Sequence, residues 1–273
     1  MMRLLATAVI EFRIALRNRW VAISIAIMVT FSVVLAAAGS APTGALGADR
    51  LSVTVASLTS LAVYLVPLVA LLMAFDAVAG ETERGTLPLL LTYPLSRFEL
   101  ILGKLVAHLG IIALAVTLGY GSAAVVTAAA DPSSVQGLPA LWRLIWTSVL
   151  LGATFLAAGY TLSALSRRPA SAAGLAIALW LTAVVLYDLG LLAVIVADDG
   201  GTLTTRVFPW LLTANPADAF RLYNLSVSEA TAAASGLSGA AQTIPAWQPL
   251  LSLVLWPFAA LALALVAIKR VVP

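Results

Sequence analysis

The chain has 273 residues, of which 62% are hydrophobic and only 10% charged, and its mean hydropathy is +1.05. These values exclude a water-soluble globular domain, and the complete absence of cysteine excludes disulfides, thiolate metal sites and cysteine nucleophiles together. The net charge of +3 is scattered among apolar stretches without a long basic run, which points to membrane topology and not to nucleic acid.

A bilayer core of about 30 Å takes about 20 residues of helix per crossing, and in lipid only helices or closed barrels satisfy their own backbone. The apolar runs here are helix-length and do not alternate, so the sequence predicts an all-α integral membrane protein with six transmembrane helices in a single domain over residues 1–273. Leu5, Val9, Phe12 and Leu16 share a helical stripe while Arg3, Arg13 and Arg17 group elsewhere on the wheel. That pattern predicts an N-terminal amphipathic elbow helix on the inner membrane surface, with a plain positive topology anchor as the alternative. No small-residue cleavage site follows the first apolar run, which is therefore read as a retained span. The spans are placed at residues 20–38, 57–75, 99–130, 142–165, 169–197 and 248–268. Of the fifteen Lys and Arg residues, eleven then fall on one side and four, Arg50, Arg143, Arg206 and Arg221, on the other. The positive-inside rule puts both termini in the cytoplasm of a multi-pass protein of the inner, cytoplasmic membrane.

Between spans two and three the stretch GETERGTLPLLLTYPLSRFE, Gly80 to Glu99, concentrates charge and helix breakers. Gly85 is suited to end a helix continuing from span two, Thr86 to cap a new one, and Pro94 to stop it. Ser96 and Glu99 have the Ser-x-x-Glu spacing of a capping box that starts the helix of span three. The product is a short apolar helix carrying Leu89 and Leu90 between two rigid breaks, which calls for a membrane surface or a partner's groove. Glu81, Glu83 and Arg84 are candidates for salt bridges to a partner or members of a solvated loop. No Gly-x-x-x-x-Gly-Lys-[Ser/Thr] occurs, since Gly103 and Lys104 are followed by Leu105, so any nucleotide work belongs to another chain.

Three polar residues sit near or within the spans. Asp76, near the inner boundary, suits a helix-end hydrogen bond as well as a transport role. Asp188 lies deeper and must face the bundle interior or a wet cavity, either as an interhelical hydrogen bond or as a site. His108, the only histidine, follows Lys104 by one turn and reads as an interfacial hydrogen-bonding residue. Neither an intramembrane serine protease nor a metal-dependent hydrolase has its residues here: there is no Gly-x-Ser-x-Gly and no ligand cluster. The four methionines are too dispersed for a copper relay, so no metal site is expected in this chain. The outer segment, residues 198–247, contains Asn215, Pro216 and Asp218, which predict a capped helix bearing Phe220, Arg221 and Tyr223. That helix suits the membrane interface or a docking platform.

At the Gly80 to Lys104 stretch the chain resembles permease subunits of ABC-2 type transporters. The runs SAAGLAIALW, VLYDLGLL and PWLLTANPADAFRLYNL narrow the resemblance to the branch associated with maturation of nitrous oxide reductase, over most of the chain. The resemblance implies a short cytoplasmic coupling helix between spans two and three, pressed against a separate NosF-like ATPase that carries ATP and Mg. Glu81, Glu83, Arg84, Gly85, Thr86, Leu89, Leu90, Pro94, Ser96, Arg97 and Glu99 are then the coupling residues. It further implies a homodimer, no enzymatic activity or cofactor in this chain, and a periplasmic NosD-like protein docked on Trp210, Asn215, Pro216, Phe220, Arg221 and Tyr223. Copper-site assembly in denitrification is the implied setting, and ABC-2 export of a lipid, drug or polysaccharide the alternative. A purely structural anchor is the reading outside transport.

Overall fold

The N-terminal helix α1 (Met2–Leu16) ends in a turn before α2 (Arg19–Ala38), and both lean on the long helix α6 (Arg97–Ala130). Phe12 of α1 packs against Gly110 of α6, which turns it inward, whereas Leu5, Val9 and Leu16 face outward with Ile10 and Ile14. The predicted four-residue apolar stripe is thus split between two faces. The computed structural model describes residues 2–38, 49–92, 96–198, 201–226 and 244–271, and among these there are helices and turns but no strand.

Among the described residues, six stretches are long and apolar enough to cross a membrane: Val21–Ala38, Arg50–Glu83, Arg97–Ala130, Pro132–Leu165, Pro169–Asp198 and Trp247–Lys269. The end of the bundle that carries α1 is called the near end, and the opposite one the far end. The second span, α3 (Arg50–Ala74), begins at Arg50 and not at Ser57. Asp49 caps it by accepting from the Ser52 amide at 3.0 Å, and the Thr54 and Thr59 hydroxyls donate back to the carbonyls of Arg50 and Val55. Polar residues that satisfy themselves within the helix extend it past the apolar run.

At the near end, α3 breaks and is followed by α4 (Ala79–Glu83) and α5 (Thr86–Thr92) before α6. A 3-10 turn, Pro132–Gly137, links α6 to α7 (Leu138–Leu165) at the far end. Helix α7 is the centre of the bundle, packed by α3, α6 and α12 (Trp247–Lys269). It approaches α3 so closely that a Cβ on Gly159 would lie 2.5 Å from the Ala74 Cβ. The fifth span is composite: α8 (Pro169–Trp180), a π-helical stretch Leu181–Leu186, and α9 (Tyr187–Asp198). It lies at the periphery, touching α3 and α7, and only 11% of its apolar window is buried. Two short far-end helices, α10 (Phe208–Ala214) and α11 (Pro216–Ser226), complete the described fold.

The contact at Gly159 generates a test. Gly159→Leu forces α7 away from α3 and costs about 1–3 kcal/mol, the usual scale of overpacking. Gly121→Leu, where an added Cβ meets nothing within 4 Å, costs little. Thermal unfolding in detergent should lower the midpoint of the first variant and leave the second near wild type.

Candidate functional site

Two polar centres stand out, one at each end of the bundle. The near-end centre begins where α3 stops. The Ser163 hydroxyl of α7 accepts from the amides of Val78 and Ala79, both at 3.0 Å, and donates to the Phe75 carbonyl at 2.6 Å. Backbone groups freed by the helix break are thereby satisfied inside the bundle. Asp76 pairs with Arg84 at 3.2 Å across the turn, with both side chains well exposed, which makes the bridge a minor energetic term. Gly85 closes the turn at φ +67°, a left-handed conformation that a side chain would strain. Thr86 is the first residue of α5, and its hydroxyl donates back to the Glu81 carbonyl at 3.2 Å. Leu87 is buried and Leu89 is 63% exposed. Pro94 lies outside the described residues, as does the Leu90 side chain.

Helix α6 starts with a complete capping box: Ser96 accepts from the Glu99 amide while the Glu99 carboxylate accepts from the Ser96 amide. Arg97, expected among the coupling residues, reaches the opposite way. Its Nη1 donates to the carbonyls of Ile268 at 2.7 Å and Val271 at 2.6 Å, holding the C-terminal end of α12. A cation at these unsatisfied carbonyls is favourable for the same reason that helix C-termini attract Lys and Arg.

Glu81 requires a correction as well. Glu83 is exposed, but Glu81 turns inward and meets the buried Lys104 ammonium at 2.7 Å. Glu11 of α1 contacts the same ammonium, also at 2.7 Å. One Nζ of α6 thus bonds two further elements, α1 and α4. Its demand for acceptors in an apolar setting is what draws Glu81 away from the surface. His108, one turn on, places Nδ1 2.7 Å from the Tyr160 hydroxyl of α7, both buried. The long-range members Glu11, Ser163 and Tyr160 gave no signal in the sequence, because helix-spaced side chains do not disclose which neighbouring helix they meet.

The far-end centre is a hairpin of α10 and α11 folded back against α3, α7, α12 and the π-helical stretch. Asn215 sits at its turn. Its Oδ1 accepts from the Ala217 amide, and its Nδ2 donates to the Ala183 carbonyl at 2.6 Å and the Asp218 carboxylate at 2.9 Å. Arg221 donates to Asp188 at 2.9 Å and lies 3.6 Å from Asp218, so Asp188 has an ionic partner across 33 residues. Asn224 is fully buried between Thr147 and the Phe220 carbonyl, and Arg143 holds its own carbonyl at 3.2 Å.

This hairpin does not present the expected docking set. Phe220 is 0% exposed, Asn215 and Pro216 are buried, and Arg221 is engaged with Asp188, because α11 buries its polar side in the bundle and not toward solvent. Tyr223 is partly covered, edge-on to Trp146 at 5.9 Å. Trp210 alone of the six is openly exposed, on a groove of about 380 Å³ shared with Trp247, Leu251 and Trp256. Among the described residues no three His, Asp or Glu side chains converge as a metal site.

The sequence pattern described as ABC-2 family transporter protein matches residues 5–271, and the chain belongs to that family. Among curated proteins, it is 47% identical over 261 residues to the probable ABC transporter permease protein NosY of Pseudomonas aeruginosa, covering 93% of each chain. It is 42% identical over 264 residues to the protein of the same name from Stutzerimonas stutzeri, covering 95% of each.

Lys104 offers a quantitative check. Replacing it with Met strands two carboxylates without their counter-ion, and breaking a buried pair in this way costs about 3–5 kcal/mol. Adding Glu11→Gln and Glu81→Gln to Lys104→Met should recover most of that loss. The readout is the unfolding midpoint of the purified protein for the single and triple variants.

Proposed function

We propose that this chain is the membrane subunit of an ATP-driven complex that matures nitrous oxide reductase, converting the cycle of a separate NosF-like ATPase into movement of its own helices. The observation that carries the reading is the architecture of Ala79–Glu99. A short helix with Leu89 outward is braced by the Gly85 turn and the Ser96 cap, and the segment is tied into the bundle through Lys104 and Ser163. An apolar protrusion on rigid mounts transmits a push, whereas a flexible loop would absorb it. In this reading ATP and Mg belong to the partner, which agrees with the lack of a Gly-x-x-x-x-Gly-Lys-[Ser/Thr] run in this sequence. The setting in this reading is copper-site assembly in denitrification, and similarity to two NosY permeases supports it.

The near end is then cytoplasmic, with both termini, and the far end periplasmic, in agreement with the eleven-to-four partition of basic residues. A homodimer is part of the same reading, and the fifth span supports it. Its face is largely uncovered, yet the Asp188–Arg221 pair on it keeps 29% and 26% side-chain exposure. Leaving an ion pair against hydrocarbon is costly, and a second copy covers it. The NosD-like periplasmic protein binds at the far end, with Trp210 as the accessible aromatic anchor.

Purification of the tagged chain from mild detergent tests the reading directly. An ATPase and a periplasmic protein should accompany it in fixed stoichiometry, and an ATPase alone would favour the exporter. Leu89→Glu, which forces a carboxylate into the partner's groove, should weaken ATPase co-purification by about tenfold or more without loss of membrane insertion. Because native cysteine is absent, Ser133→Cys should label from outside intact cells and Ser166→Cys should not. The opposite pattern overturns the orientation.

A further inference from the structure

We propose that the facing carboxyls of Asp188 and Asp218 form a proton-binding site, and that loss of the proton unseats the α10–α11 hairpin from the bundle. The geometry supplies the reason. Asp188 accepts from Arg221 Nη1 at 2.9 Å, and the same nitrogen stands 3.6 Å from Asp218. The two carboxyls therefore flank a single guanidinium nitrogen. Two ionised carboxylates held this close repel each other, and a proton on one of them removes the repulsion. One guanidinium neutralises one carboxylate, so with Asp218 protonated the cluster is neutral, and without the proton it bears an uncompensated negative charge.

Other groups around Asp218 do not remove that charge. Asn215 donates one amide hydrogen bond to it at 2.9 Å, but carries no charge. From α9, Tyr187 lies near Asp218 but is uncharged, and its hydroxyl donates to the Leu211 carbonyl at 2.6 Å. From α3, Tyr64 lies beside Arg221. From α7, Arg143 is committed to the Asn224 carbonyl, more than a turn further along α11. Helix α10 has no ionisable side chain, and α12 has none before Lys269 at the near end. Asp218 is 2% exposed. Burial first, and then the adjacent Asp188, lift its carboxyl from the ordinary 3.8 to about 8.

The sign of the effect follows. Seated, the hairpin holds the proton up to about pH 8; released into water, Asp218 loses it near its ordinary value. The seated state therefore binds more protons between these limits. Seating is most favoured at low pH, weakens as pH rises through that window, and changes no further above it. In each unit within the window the released-to-seated ratio rises by up to about tenfold. Asp218 thus reads the proton concentration at the far side of the membrane and reports it as the position of α10 and α11. The inference concerns the hairpin alone and stands whether or not the ATPase reading does.

The cysteine-free chain allows spin labels at Val207→Cys, at the start of the hairpin, and Val135→Cys, in the far-end turn, both exposed. Pulsed electron resonance distances in detergent at pH 5.5, 7 and 8.5 should show one population at the lowest pH and a growing second, displaced population at the higher two. Asp218→Asn, a permanent neutral mimic, should hold the first population at every pH. Asp188→Asn leaves Asp218 to pair with Arg221 and should move the onset of the response to lower pH or abolish it. An identical distance distribution for the parent at pH 5.5 and 8.5 overturns the proposal, as does an undiminished pH response in Asp218→Asn. So does a population that follows sodium concentration at fixed pH, which would make the ligand a metal cation and not a proton.

Discussion

A single buried ammonium organises the near end. Lys104 sits where water is excluded and must find acceptors within the protein, and the two it finds come from helices that would otherwise be independent. Glu11 brings α1 against α6, and Glu81 draws α4 under the bundle. The surrounding helices are greasy enough to slide on lipid, with no hydrophobic gain from meeting one another, so a polar contact of this kind specifies position in a way that apolar packing does not. The neighbouring Ser163 bracket and the Arg97 clasp on α12 then fix the remaining edges of the segment. The elements on either side of α5 are thereby joined to α1, α6, α7 and α12.

The far end solves the opposite problem. Here a polar sequence, PADAFRLYN, enters an apolar bundle and carries its own partners with it. Asn215 folds the chain back, Asn224 locks onto Thr147, and Arg221 answers Asp188. Each polar atom accounted for inside lowers the cost of the intrusion, and one carboxyl pair is left sharing a single guanidinium. The Trp256 indole completes the attachment by donating to the Ala214 carbonyl at 2.8 Å.

The six spans were legible because hydropathy is a local property: a run such as Val21–Ala38 declares itself without reference to any other part of the chain. Breaks and caps were legible for the same reason, since Gly85 and the Ser96 to Glu99 box act over a few residues. What could not be read was direction. Glu81 and Glu83 look alike in a charged loop, and only the location of Lys104 decides that the first turns inward. Phe220 and Arg221 look like an interface pair, and only the folded-back path of α11 puts the phenyl ring in the core. Asp188 had no nameable partner because the arginine that meets it lies beyond an intervening helix and turn. Long-range pairing is a property of the bundle, and a linear pattern does not contain it.

The π-helical stretch Leu181–Leu186 divides the fifth span into two half-helices with separately set bearings. Each residue of an α-helix advances the azimuth by about 100°, so the wide turn works like a rotary offset fitted midway along a shaft. Below it, Trp180 is free to point at the Tyr64 carbonyl of α3; above it, Tyr187 and Asp188 are aimed at the hairpin. The span thereby serves two masters, and a one-residue deletion that restored uniform winding would leave one half correctly facing its neighbour and swing the other toward lipid.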